Sequence, residues 1–262
     1  MRPFILGERR VEYLLSVGLD SKTKKNMAKN YVSGILYEAP HTYGEVGNAC
    51  PDADKCKQSC LGLYAGRAYH FRKKGTKHSA IVEARVKRAK MAKEDIVAYT
   101  ARLKYEIKSI EAYADYLMTT EGEEYKTCIR LNGSSDKVVE KLYPTLFYHF
   151  DKTQFYDYTK NLARMMRFLK GKLPKNYHLT FSRDNDKQFN DKCVKVLEMQ
   201  GNVSVVFRNK KKLDYYIENG YKGFQVIDGD NSDLTFTYES GVIVGLSAKG
   251  KAKKDKSGFV VD

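Results

Sequence analysis

Six short β-rich runs follow one another along the second half of the chain: Lys126–Leu131, Thr153–Tyr158, Tyr177–Ser182, Asn202–Phe207, Gly223–Ile227 and Gly241–Leu246. Most of the gaps between them carry helical pattern, notably Asp136–Tyr148, Lys160–Lys170 and Lys187–Gln200. Strands alternating with helices imply βαβ units and a parallel sheet. Several runs are apolar nearly throughout, as strands covered on both faces should be. With Ser33–Ala39 (SGILYEA) the chain shows about seven strands, an α/β class with parallel strands and outer helices.

The first half is organised differently. A loop rich in Gly, Pro and Asp runs from Pro40 to Gly62, and a long helical region from about His78 to Met118. Apolar residues at 96, 99, 103, 107, 110, 114 and 117 keep a helical period, and the pattern is interrupted near Lys93 and Glu94. The 262 residues suit one large domain. We read 1–248 as a single barrel-like α/β domain with an N-terminal extension and a cysteine loop at 47–62. Residues 249–262 read as a basic C-terminal tail, a mobile arm or a closing lid. No apolar run approaches the ~18 residues of a membrane span. Met1–Val11 does not read as a secretory signal, so a cytoplasmic protein is expected, with no membrane partner.

Charge is the first functional indication. The net charge is +15. Arg67–Lys93 holds ten Lys or Arg against Glu83, and Lys249–Lys256 holds five lysines against Asp255. Such segments favour polyanions, so Arg67–Lys93 is a candidate contact for nucleic acid or a nucleotide substrate. A solvated basic surface is the plainer alternative. The 20 tyrosines sit mostly at positions that suit packing and do not define a base-stacking surface. No serine lies in a nucleophile-elbow sequence.

The five cysteines are an odd number, which argues against a disulfide framework. Three of them follow the spacing Cys50-x5-Cys56-x3-Cys60. Thiolates bind soft or borderline metals, and one compact loop lets three face one centre. Three thiolates without a fourth suit a 4Fe-4S cluster with one iron left open. Zinc is the alternative, with His70, His78 or Cys128 as a fourth ligand at no familiar spacing. Unliganded thiols are the third possibility. Cys128 and Cys193 fit apolar patterns, as small buried hydrophobes.

In a barrel-like α/β domain, functional residues lie just past the C-terminal strand ends. Those positions hold Arg130, Asn132, Gly133, Ser134, Ser135 and Asp136; Asp157, Tyr158, Thr159 and Lys160; Ser182, Arg183 and Asp184; and Asp228, Gly229, Asp230 and Asp233. The turn Asn132–Asp136 either presents backbone N–H groups to an anion or cofactor carboxylate, or lets Asp136 cap the next helix. Asp228-Gly229-Asp230 with Asp233 is a tight turn, a substrate or cofactor contact, or an oxygen-ligand metal site.

The chain also resembles a family of uncharacterised, mostly bacteriophage-encoded proteins that look radical-SAM-like. The stretches that carry the resemblance are Gly34–Pro40, the cysteine loop from Cys50 to Leu61, Ala84-Arg85, Arg130–Asp136 (RLNGSSD), Phe155–Lys160 (FYDYTK), Leu173–Ser182, Asn202–Phe207, Val226–Asp230 (VIDGD), Val242–Gly250 and Gly258–Val260. The resemblance implies a (βα) partial barrel like a radical SAM core. Cys50, Cys56 and Cys60 would hold a 4Fe-4S cluster whose open iron binds S-adenosylmethionine, and an electron donor would drive its cleavage to a 5′-deoxyadenosyl radical. Arg130, Asn132, Gly133, Ser134 and Asp136 would contact the cofactor, with Ser182 and Arg183 beside them. Asp157, Lys160, Asp228 and Asp230 would face the substrate. The cysteine gaps of five and three depart from the usual three and two, and no Gly-Gly-Glu-Pro segment is present. A non-enzymatic nucleic-acid-binding protein with a structural zinc or cluster is the alternative function.

Overall fold

The computed structural model describes residues 13–18, 21–66, 68, 79–185 and 189–262. Among these, one sheet is built from β1 (Leu15–Ser16), β2 (Tyr31–Leu36), β3 (Lys126–Arg130), β4 (Gln154–Thr159), β5 (Tyr177–Ser182), β6 (Val203–Phe207), β7 (Val226–Asp228), β8 (Ile243–Ser247) and β9 (Val260–Val261). Its order is β1-β2-β3-β4-β5-β6-β8-β7, with β9 added beside β6. β1 pairs antiparallel with β2, and all other pairings are parallel. The main helices are α1 (Ser21–Met27), α2 (Ala80–Glu94), α3 (Ile96–Glu121), α4 (Leu162–Leu169), α5 (Val194–Glu198) and α6 (Lys210–Asn219). The expected parallel α/β arrangement is present. It is an open sheet with β1 and β7 as its edges, not a closed barrel.

Local sequence explains the long helical region. Asp95 sits between α2 and α3 in extended backbone, and its carboxylate accepts from the N–H groups of Val97 and Ala98. An aspartate N-cap starts a new helix at the point where the pattern is interrupted. Tyr99, Leu103, Ile107, Ile110, Ala114 and Leu117 form the buried stripe of α3. Burying each Leu or Ile contributes about 1.5–3 kcal/mol. Glu106 interrupts this stripe and is buried, and it accepts from the N–H groups of Leu14 and Leu15. That contact fixes the edge strand β1 against the helix.

The winding direction decides which face the helices cover. From β2 to β6 each strand is laid on the same side of its predecessor. Right-handed crossovers then put these connections on one face. Residues of matching pleat meet the helices there: Val32, Ile129, Phe155, Leu179, Phe181, Val203, Val205 and Ile243 share one core with α3, Met165, Val196 and Leu213. β8 lies back between β6 and β7, so the β7–β8 crossover reverses direction and belongs on the opposite face. Leu234 and Phe236 from that crossover pack there with Cys128, Tyr156 and Tyr31. α1 covers the same face, with Asn26 Nδ2 3.1 Å from Ser33 Oγ.

The anchor of this second layer is ionic. Arg130 Nη1 lies 3.1 Å from both oxygens of Asp233, and both side chains are under 10% exposed. Lys22 Nζ and the Tyr156 hydroxyl also donate to Asp233, at 2.9 and 3.2 Å. Burial pushes the Asp233 carboxyl up, but Lys22 and Arg130 outweigh it and hold it below the usual carboxylate value.

Residues 249–262, expected as a mobile arm or lid, are built into the fold. β9 pairs with Val206 and Phe207, beyond the point where β5 leaves β6. Arg183 donates to the carbonyls of Phe259 and Gly258 at 2.8 and 2.9 Å. No described helix is long and apolar enough to cross a membrane.

Two stability predictions follow from these contacts. A Cβ on Gly34 would lie 2.8 Å from Ile110 Cδ1 and 2.9 Å from Ile129 Cδ1. Gly34→Val should therefore cost about 1–3 kcal/mol by overpacking, read from urea unfolding. An unchanged midpoint would mean that α3 does not lie this close to β2. Asp233→Ala should cost about 3–5 kcal/mol, because it leaves Arg130 buried and unpaired. The double variant Arg130→Met/Asp233→Leu should lose less than that single one, and an equal or larger loss would show that the ion pair itself supplies the stability.

Candidate thiol site at the strand ends

Beyond β2 the chain enters the loop that carries Cys50, Cys56 and Cys60, all half-buried and free. The ends of three other strands hold this loop. After β3, the Asp136 N–H donates to the Ala49 carbonyl at 2.8 Å. After β4, Asn161 Nδ2 donates to Asp52 at 2.8 Å. After β5, the Asp184 carboxylate accepts the N–H groups of Asp54 and Cys56 at 2.6 and 2.8 Å. The C-terminal segment adds a fourth tie, Ser59 Oγ to Asp255 at 2.9 Å. Cys50 Sγ accepts from the His41 N–H at 3.3 Å.

The thiols are electrostatic neighbours. Burial pushes all three pKa values up, that of Cys56 to about 12. A charge on Cys50 is felt at Cys60, and one on Cys60 at Cys56. Lys160 opposes the rise at Cys50 and Cys56, and Arg85 opposes it at Cys60. Lys160 thus faces the Cys50 and Cys56 side of the loop, with its Nζ 2.9 Å from Ser182 Oγ. The donor set is chemically that of a thiolate centre. Among the described residues, however, no three His, Cys, Asp or Glu side chains are arranged to hold a metal ion.

The turn Asn132–Asp136 lies against this loop. The Gly133 N–H donates to the Leu36 carbonyl at 2.9 Å, and Ser134 Oγ to the Glu38 carbonyl at 2.6 Å. Asn132 Oδ1 accepts from Ser135 Oγ and the Lys137 N–H. Gly62 packs Ser134 next to Cys60 Sγ. Asp136 caps no helix: the following helical turn starts at Val139 without a side-chain cap. Its carboxylate instead accepts the Lys160 N–H at 2.7 Å and meets Arg164 at 3.3 Å.

Other expected site residues lie elsewhere. Arg130 points to the face covered by α1 and the β7–β8 crossover and is taken up by Asp233. Asp157 is fully buried and holds the Asn132 N–H at 2.6 Å and the Tyr177 hydroxyl at 2.8 Å. Arg183 is buried against the C-terminal carbonyls. Asp228 accepts the Asp230 N–H at 2.8 Å, which closes a tight turn. Asp230 meets the Ser247 N–H and Lys249 at the sheet's far edge, with Lys25 of α1 on its carbonyl. Cys128 packs with Tyr156 and Leu234, and Cys193 in the helix-side core. His70 and His78 lie outside the described residues, as do Arg67, Arg72, Lys73, Lys74 and Lys77. Arg85 and Arg88 of the basic segment hold backbone carbonyls of Gly62, Tyr13 and Tyr37. Of the carboxylates around the loop, Asp184 was among the expected strand-end residues and Glu38 was not. Asp184 supports the loop backbone, and Glu38 is buried with Lys137 Nζ at 2.6 Å and the Tyr99 hydroxyl at 3.1 Å. A carboxylate two residues beyond an apolar strand was the only signal for Glu38.

Burial pushes Asp157 up to about 6, against the pull of Arg164 and Arg130. The native state therefore binds this proton more tightly than the unfolded chain, whose value is near 3.8. The contribution of Asp157 to stability is greatest below that value and is lost as pH rises through about 6. Carboxyl-detected NMR should place its midpoint near 6. A midpoint near that of free aspartate would contradict the burial of this network.

No curated protein and no solved structure matches the chain. A family model described as Gene product 88, a phage-type family, matches residues 13–262. That span takes in the thiol loop, the strand-end turns that hold it and the C-terminal strand, so the chain belongs to the Gene product 88 family.

Proposed function

We propose that the protein is an iron–sulfur enzyme of radical-SAM-like type acting on a phosphate-bearing substrate. One observation carries the reading: three free thiols occupy the loop after the first strand of a parallel run laid in chain order. That loop lies over the C-terminal strand ends, where parallel α/β folds place their chemistry. Cys50, Cys56 and Cys60 would ligate three irons of a four-iron cluster and leave the fourth open for the amino and carboxylate groups of S-adenosylmethionine. A bound cluster, reduced by an electron donor, would supply the electron for cleavage of the sulfonium.

The chain's own residues divide the remaining work. Asp184 fixes the backbone between the first two cysteines through two N–H contacts. Lys160 supplies a positive charge toward the thiolates. The turn Asn132–Asp136 contributes Ser134 on the side nearest Cys60, while its Asn132, Gly133 and Asp136 N–H groups are spent on Asp157 and on the Leu36 and Ala49 carbonyls. Arg130 and Asp157 are positioning residues in this reading, because neither is exposed at the rim. The alternative, a nucleic-acid-binding protein with a zinc or structural cluster, draws on the basic C-terminal segment and needs no S-adenosylmethionine.

The test is anaerobic reconstitution with iron and sulfide, followed by S-adenosylmethionine and dithionite. The expected product is 5′-deoxyadenosine, lost in Cys56→Ala. A cluster-loaded protein that yields none, or a Cys56→Ala variant with full turnover, would overturn the proposal.

A further inference from the structure

The predicted polyanion contact was Arg67–Lys93, but the described part of that segment spends Arg85 and Arg88 on backbone carbonyls within the fold. A different basic surface is built beside the thiols. Residues Gly250–Lys254 form a 3-10 helix docked on the cysteine loop. Gly250, at φ +57°, packs directly on the Tyr64 backbone, where a Cβ would collide. Lys251 Nζ lies 3.8 Å from the centre of the Tyr64 ring. Arg208 holds the carbonyls of Ala252 and Lys253 at 3.3 and 3.1 Å. The segment is therefore fixed at three points.

Its charges are left unbalanced. Lys251, Lys253, Lys254 and Lys256 are all exposed. Among the described residues, none of these four forms an ion pair, whereas Lys249 pairs with Asp230. The one acid of the segment, Asp255, is buried, and its carboxylate is occupied by Ser59 Oγ and by the N–H and hydroxyl of Ser257. Exposed Lys57 lies on the cysteine loop itself, in the 3-10 turn that packs against this segment. Lysines carried on a fixed backbone without offsetting acids bind phosphates at a smaller ordering cost than lysines on a mobile tail.

We propose that Lys251, Lys253, Lys254 and Lys256, with Lys57, form a docking surface for a nucleic-acid backbone. The surface borders the thiol loop, so nucleic acid is the substrate class for the activity proposed above. That last step alone rests on the radical-SAM-like reading; binding itself does not.

The test is fluorescence anisotropy with a labelled single-stranded DNA 20-mer, on protein with intact cysteines, over a range of salt. Each phosphate contact contributes about 0.7 to the salt slope. Replacing the four lysines 251, 253, 254 and 256 with glutamine should lower that slope by about 2–3 and weaken binding at least tenfold. The four Lys→Arg replacements should bind within about threefold of the parent, because phosphate contacts need charge rather than a particular side chain. Lys87→Gln, Lys90→Gln and Lys93→Gln together should change binding less than the C-terminal set does. Unaltered binding by the folded glutamine variant, or an equal loss from the α2 set, would overturn the proposal. Loss of DNA binding with cluster and S-adenosylmethionine cleavage intact would support the surface. DNA binding that persists when the cluster is absent would separate it from the enzymatic reading.

Discussion

The rest of the structure depends on a constraint of handedness. A parallel sheet laid down in chain order with right-handed crossovers covers only one of its faces with helices. The other face, here carrying Ser33, Cys128, Arg130, Tyr156 and Tyr158, must be covered in some other way. A closed barrel would turn that face inward. This chain reverses its winding once, at β7–β8, and lays the reversed crossover over the bare face. Leu234 and Phe236 supply its apolar contact, and Asp233 locks it to Arg130, Lys22 and Tyr156. Burying such a pair is costly unless both ends are satisfied; the surrounding donors satisfy Asp233, while the buried Arg130 Nε has no hydrogen-bond partner among the described residues.

With the lower part of that face filled, the strand ends remain for the cysteine loop. The loop has little regular structure, and its shape is imposed by its neighbours. Asp136, Asn161, Asp184 and Asp255 reach it from four separate places in the chain. These contacts tie down the loop's backbone, while its three thiols as they stand are not arranged to hold a metal ion. The same arrangement brings the basic C-terminal segment to the rim.

Much of this architecture was legible in the sequence. β5 falls at Tyr177–Ser182 as read, and the interruption near Lys93 and Glu94 marks the Asp95 cap between α2 and α3. β1 and β9 were not legible, because two residues carry no periodicity and each gains its pairing from a distant partner. The strand-end rule gathered too many residues onto one rim. Successive residues of a strand face opposite ways, so Arg130 turned to the covered face and Asp157 toward the Tyr177 side. Asp233 was grouped with Asp228 and Asp230, and all three do act on Tyr238, but Asp233 is taken up by Arg130 and Lys22. The thiol loop was the clearest signal, because three cysteines so close together have few structural uses in a chain without disulfides.

The central claim is that Cys50, Cys56 and Cys60 hold a cluster, and an iron and sulfide count on protein purified without oxygen tests it most directly. The account predicts about four irons and four sulfides per chain, as three-thiolate cluster sites require. One zinc per chain and no sulfide would contradict it.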